Sequence, residues 1–346
     1  MKKTALGVML IAVLLAGGCV QQNPEESPKV GVILPLTGAA ANLGGWALDG
    51  VNVAKAEMAG SALPVELAVE DDQCDGKAAL SAFEKITSIN SAPVVVGPLC
   101  NAAALPVAAL AKERRVPFIV LGVTTAAVRN SGDFTFSVLP PIDAQTEKIA
   151  EFAKKGLSIG SVSVLFVQDE YGAENYMTFK ESFEGIGGTV STADAFPKAA
   201  TDFRSMLFKI AGEPSEAILV IGYSPNYSNI LKQAKEVGIG KKMLAVSNIQ
   251  DPQLLESIPE EMNGVYYTYP DILDKNSLAS FGESPNLPMY VLSGYVALKY
   301  AVSAAKKCRN SSPCIQQELK SSLKAFPFEI IIKTVKNNEF VTYEGG

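Results

Sequence analysis

Short apolar runs alternate with amphipathic stretches along most of the chain, at the spacings of strands and helices in turn. Residues 29–35 (K-V-G-V-I-L-P) read as a buried strand, 46–58 as a helix and 65–69 as a second strand. Next come an amphipathic helix over 77–89, a strand over 94–96, a helix over 102–114 and a strand over 117–121. After 134–138 the pattern restarts, with helices over 142–155, 174–183, 203–210 and 230–237. Strands over 162–167, 189–196, 217–221, 243–246 and 265–269 separate or follow those helices. A long helix over 287–307 and a terminal strand and hairpin over 328–343 complete the chain. Strands and helices in strict alternation, joined by short links, predict βαβ units and an α/β fold with parallel sheets. Two such blocks divide near Pro140-Pro141. The long helix followed by a strand predicts that the chain returns to the first block and crosses once more.

Residues 71–101 organise the first block. They begin D-D-Q-C-D-G and end P-V-V-V-G-P-L-C-N. The second part is a buried strand, a tight turn at Gly97-Pro98 and the start of a small-residue helix. Open α/β sheets present their binding edge in that order. Cys74 and Cys100 stand at the two ends and are expected to be bridged, with Asn101 beside them facing a ligand. A plain helix cap is the other reading of Asn101.

Composition narrows the function. The 346 residues are enough for two domains, and 48% apolar against 19% charged residues gives material for buried cores. A net charge of −6 disfavours a nucleic-acid partner, since phosphate binding needs clustered Lys and Arg. The absence of histidine removes the commonest general base, the usual nucleophile triad and most zinc sites; no metal or cofactor is expected. Residues 1–18 read as an export signal, with Lys2-Lys3, an apolar core over 5–15 and small residues Ala16-Gly17-Gly18. The following Cys19 makes the segment similar to a lipoprotein signal, although Ala16 stands where such signals usually carry Leu. Cleavage without lipid, leaving Cys19 an odd thiol, is the alternative. Residues 19–28 are a tether, lipid-anchored if Cys19 is modified. Four cysteines remain and an oxidising compartment favours pairing them. Three pairings are open. Cys74–Cys100 and Cys308–Cys314 are the local ones, and four free thiols the alternative.

Several motifs in order resemble the leucine/isoleucine/valine-binding family of ABC-transporter solute receptors, over nearly the whole mature chain. They are G-V-I-L-P-L-T-G at 31–38, the helix over 46–54, D-D-Q-C-D-G at 71–76 and V-G-P-L-C-N at 96–101. D-E-Y-G at 169–172, I-G-Y at 221–223 and Q-A-K-E-V-G at 233–238 extend them into the second block. The resemblance implies two doubly wound parallel-sheet lobes with a ligand cleft and three hinge crossovers, the type I periplasmic-binding fold. It places lobe 1 at 29–139 plus 271–325 and lobe 2 at 140–270 plus 326–346. It implies a small polar ligand, such as an amino acid or a related amide or carboxylate, closed in by hinge motion and passed to an ABC permease. A monomer outside the cytoplasm, held to membrane lipid through Cys19, is the expected form. Asn101 and Thr124 match positions that hold a carboxylate, and Tyr171 and Tyr223 match aromatic positions of the second lobe. Trp46 is a candidate pocket wall, although core packing is the commoner role for a lone tryptophan. Ser247, followed by Asn248, falls where amino-acid receptors carry an acid for the ligand ammonium, and Leu43 where they carry an aromatic. Asp169, Asp251 and Asp271 are candidate substitutes for that acid.

Two other functions compete. A sensory ligand-binding module of the same fold would signal through a membrane partner. An exported α/β enzyme would use Glu70-Asp71-Asp72 or Asp169-Glu170 as an acid/base pair. The chain has no nucleophile elbow and no phosphate loop, so no catalytic residue is assigned.

Overall fold

The computed structural model describes residues 26–38, 40–60, 64–122, 124–272, 281, 288–323 and 328–345. The expected signal, Cys19 and most of the tether lie outside the described residues. So does the crossing expected near 325.

The first block contains β1 (Lys29–Leu34), α1 (Ala41–Glu57), β2 (Glu66–Asp71) and α2 (Gly76–Glu84), then β3 (Val95–Val96). It continues with α3 (Asn101–Arg114), β4 (Phe118–Val120), α4 (Ala126–Arg129) and β5 (Thr135–Ser137). All five strands run parallel in the order β2-β1-β3-β4-β5. Strands β1, β3 and β4 are apolar on both faces because helices cover both sides, whereas edge strand β2 is mostly half-buried.

The second block contains α5 (Ile142–Glu151), β6 (Ser161–Val167), α6 (Glu170–Gly185), β7 (Thr189–Phe196) and α7 (Arg204–Ala211). Then come β8 (Ala217–Ile221), α8 (Ser224–Glu236), β9 (Lys242–Ala245), α9 (Pro252–Ser257), α10 (Pro259–Met262) and β10 (Tyr266–Ile272). Strands β7-β6-β8-β9-β10 repeat the parallel order of the first sheet. The terminal hairpin β11 (Phe328–Lys336) and β12 (Glu339–Thr342) joins antiparallel to β10. Pairing of Asp271 and Ile272 with β11 extends this sheet two residues past the expected boundary at 270.

Helix α11 (Met289–Lys307) returns to the first sheet and lies against α1, β1 and β3; α12 (Ser312–Ser322) follows it. Glycines bring α1 and α11 into backbone contact. A Cβ on Gly50 would stand 1.8 Å from the Val291 carbonyl oxygen, and one on Gly294 would stand 2.1 Å from that of Ala47.

Several helices depart from the expected bounds. Helix α1 starts at Ala41, five residues before the expected 46, so Gly44-Gly45 is helical. Gly44 is needed because a Cβ there would meet the Pro35 carbonyl oxygen at 2.0 Å. Helices α6 and α8 also start before the apolar periodicity does, because their first turns face the space between the sheets. Helices α4, α9, α10 and α12 were not expected: the first three are too short to show an apolar period, and the Pro-containing start of α12 follows too closely on α11 to show as a separate pattern.

Gly50→Ala should cost about 1–3 kcal/mol, because the two helix backbones must part to admit the methyl group. Gly45→Ala, in the same helix with nothing within 4 Å of the new Cβ, should be neutral or stabilising by about 0.5–1 kcal/mol. Urea unfolding of the two variants checks this; equal effects would show that the helix contact is not tight.

Candidate functional site

An open α/β sheet binds at the carboxyl ends of its strands, where the strand order reverses. Both sheets reverse between their first and third strands: β1 and β3 in one, β6 and β8 in the other. The loops leaving these four strands face one another across a cleft of about 120 Å³. An engineered cavity of ~150 Å³ admits benzene, so the cleft is of a size to take one small solute.

The first wall is built from residues 71–76 upward. Asp71, at the end of β2, accepts hydrogen bonds from the backbone N–H groups of Leu36 (2.8 Å) and Gln73 (2.9 Å) and from the Thr37 hydroxyl. That carboxylate holds the loop after β1 against the loop after β2. Its pKa is lowered: burial raises it, and the hydrogen bonds from Thr37, Gln73 and Leu36 together outweigh that. Gln73 and Cys74 take left-handed backbone conformations, and Asp75 caps α2 through Lys77 N (2.9 Å) and Ala78 N (3.0 Å). The turn so formed brings Cys74 to Cys100 in a disulfide with Cα atoms 5.5 Å apart. Cys308 and Cys314 form the other, also at 5.5 Å.

The bridge fixes the start of α3, where Leu99, Cys100, Asn101 and Ala102 line the cleft beside Asn42 and Leu43. Asn101 Oδ1 accepts from Thr125 N at 3.1 Å. The three acids weighed as a catalytic group have structural tasks. Glu70 pairs with Lys85 at 2.7 Å, Asp71 clamps loops and Asp72 is buried.

The second wall is aromatic. Tyr171, on the first turn of α6, and Tyr223, at the N-cap of α8, stack with centroids 5.7 Å apart. Tyr223 donates its hydroxyl proton to Asp169 Oδ2 at 2.9 Å, and Asp169 Oδ1 accepts from Gly172 N at 2.9 Å. Burial, and then neighbouring groups including Asp169, raise the pKa of both phenols, so both keep their protons at neutral pH. Lys198, from the loop after β7, stands 4.7 Å from the Tyr223 ring centroid. Asn248 and Tyr290 close the floor, joined by a hydrogen bond from Tyr290 Oη to Asn248 Oδ1 at 2.8 Å.

The lobes also touch directly. Thr125 Oγ1 donates to Glu170 (3.1 Å), Ala126 N donates to Glu174 (2.8 Å) and Arg129 pairs with Asp143 (2.7 Å).

Asn101, Tyr171 and Tyr223 are therefore brought together on the cleft. Thr124 is buried at the lobe junction, its carbonyl accepting from Arg129 and from Ile142 N, and it is not among the cleft-lining residues. Ser247 is buried behind Asn248, and Trp46 is half-buried against the core. Of the three substitute acids, Asp169 lines the cleft. Asp251 caps α9, and Asp271 lies on β10 near Lys333. Lys198 and Tyr290 were not foreseen. Lys198 follows the carboxyl end of a parallel strand, which is a usable signal; Tyr290 comes from a helix start distant in sequence and has none.

The profile of the family described as periplasmic binding protein matches residues 27–338. The chain belongs to that family. Its sequence is 21% identical over 359 residues to the leucine-, isoleucine-, valine-, threonine- and alanine-binding protein of Pseudomonas aeruginosa, covering 98% of this chain and 95% of that one. The leucine-binding protein LivK of Thermotoga maritima superposes with a TM-score of 0.82 at 22% identity, covering 91% of this chain and 97% of that one. A solute-binding protein of an ABC transporter from Rhodopseudomonas palustris, solved with 3,4-dihydroxybenzoic acid, gives a TM-score of 0.80 at 20% identity, with coverages of 92% and 96%. This periplasmic binding protein thus has the type I periplasmic-binding fold.

Two predictions follow from the first wall. Cys74→Ser with Cys100→Ser should lower stability by about 3.5 kcal/mol, and the Cys308–Cys314 pair of substitutions by about 2.4 kcal/mol, on the loop-entropy estimate. Equal denaturation midpoints for both double variants and the parent would contradict it. Asp72 is the second case. Burial pushes its carboxyl up to about 6, Cys74 N–H opposes this, and the charges of Asp71 and Asp75 add to it. Asp72 Oδ2 has no hydrogen-bond partner among the described residues. Below that value the folded chain holds a proton that the unfolded chain releases down to about pH 4. Stability from this group therefore grows by about 1 kcal/mol as pH falls from 7 to 5, and Asp72→Asn should remove that increment. Unfolding free energies at the two pH values measure it.

Proposed function

We propose that this periplasmic binding protein is the extracytoplasmic solute receptor of an ABC importer. It binds one small polar molecule between its lobes by hinge closure and delivers it to a membrane permease. The convergence of two strand-order reversals on a single cleft carries this reading. Asn101, Tyr171 and Tyr223 touch the solute, while Thr124, Ser247 and Trp46 lie off the cleft surface. The partition of strands between the two sheets supports lobes of 29–139 plus 271–325 and 140–270 plus 326–346, except that residues 271 and 272 pair in the second sheet. The ligands named for relatives, aliphatic amino acids in one and a dihydroxybenzoic acid in another, both carry a carboxylate. A carboxylate is accordingly the part of the solute we assign to the Asn101 wall, where α3 turns its N-terminal end to the cleft. Tethering through a lipid on Cys19 fits the signal-like residues 1–18 and the two disulfides.

Thermal-shift measurements against amino acids, amides and aliphatic and aromatic carboxylates test the reading. At least one class should raise the melting temperature. Asn101→Ala and Tyr223→Phe should each weaken that ligand about tenfold, the loss of one charge-assisted or buried hydrogen bond. Ligand-free melting should change by a few degrees at most. Unchanged affinity in both variants would remove the assigned site.

A further inference from the structure

Charge is distributed unevenly around the cleft. Its first wall, from Ala40 to Gly122, contributes no charged side chain among the described residues; Asp169, Glu170 and Lys198 all come from the second. Both acids are engaged: Asp169 by Tyr223 Oη and Gly172 N, Glu170 by Thr125 Oγ1. Asn248, facing them, is neutral, and its amide lies between the Tyr290 hydroxyl and the Gly222 carbonyl.

Lys198 differs. Three described lysines stand over aromatic rings. Lys299 over Tyr295 has Glu57 at 3.4 Å, and Lys333 over Tyr269 feels the attraction of Asp271. Lys198 has no carboxylate within ion-pair reach among the described residues, although its ammonium is held at the cleft. Its placement is built. The buried Asn226 donates through Nδ2 to the Lys198 carbonyl (3.1 Å) and accepts from Tyr223 N (3.1 Å), so one amide fixes both the lysine backbone and the ring beneath its side chain. The ring flanks the ammonium on one side and leaves its N–H donors for another partner. Closing the cleft over an apolar group would strip water from this cation and give it nothing in return.

We propose that Lys198 is a specificity-determining residue that takes a carboxylate of the solute at the second wall. The preferred solutes are then acids carrying a carboxylate at that end, in addition to the one assigned to the Asn101 wall. Solutes whose far end is aliphatic are disfavoured. This rests on the receptor reading above.

Calorimetric titration of the full chain separates the two. The probes are glutarate and L-glutamate, their one-carboxylate counterparts pentanoate and L-norvaline, and L-leucine and benzoate. Glutarate or L-glutamate should bind more tightly than its counterpart. Lys198→Met should weaken that dicarboxylate at least about tenfold, as expected for losing a hydrogen bond to a charged group. It should leave the monocarboxylates within about twofold, and Lys198→Arg should retain most of the affinity. Binding of monocarboxylates alone, or equal effects of Lys198→Met on both groups, overturns the Lys198 assignment and leaves the receptor intact. No binding of any probe to the parent chain counts against the receptor reading and overturns the Lys198 assignment with it.

Discussion

The cleft exists because two parallel sheets reverse their strand order at corresponding places and the chain sets those reversals face to face. At each reversal two neighbouring strands send their following helices to opposite faces of the sheet, which leaves a crevice that no helix fills. Helices α1 and α3 start at one crevice, α6 and α8 at the other. Their first turns put backbone N–H groups and short polar side chains where a solute can reach them, while the apolar remainder of each helix lies on its sheet. The division of labour is thereby spatial: strands β1, β3, β6 and β8 are closed core, and the residues just past their ends line the cleft.

Loop ends that project from a sheet are ordinarily mobile, and the first wall shows what restrains them. Asp71 gathers amide and hydroxyl donors from the preceding loop, and the Cys74–Cys100 bridge ties the next turn to the start of α3. The second wall is held by a hydroxyl-to-carboxylate bond between Tyr223 and Asp169 and by the stacking of Tyr171 on Tyr223. One wall is braced covalently and the other by side-chain packing. Direct contacts of Glu170 and Glu174 with Thr125 and Ala126 then hold the walls together where the chain first crosses between lobes.

Much of this was legible in the sequence. Strands such as 217–221 announce themselves as short apolar runs between turn residues, because both faces of a central parallel strand are buried. Cysteine locality favoured the two bridges that form, and motif order pointed to Asn101, Tyr171 and Tyr223, which line the cleft. Helix starts were harder to read. The first turns of α1, α6 and α8 face the cleft and lack the apolar period, so 41–45, 170–173 and 224–229 read as loop. Position along the chain also says little about depth. Thr124 and Ser247 lie beside cleft residues in sequence, yet backbone hydrogen bonding at the junction and the short turn after β9 bury them behind the wall. Lys198 and Tyr290 reach the cleft only through tertiary packing, which a linear pattern does not carry.

That one molecule is gripped by both reversals at once is most directly tested by amide hydrogen exchange with and without a solute that shifts the melting temperature. The account predicts slowed exchange in residues 40–43 and 99–102 of one lobe together with 169–172 and 223–226 of the other. Protection confined to a single lobe, or lying away from these four loops, would contradict it.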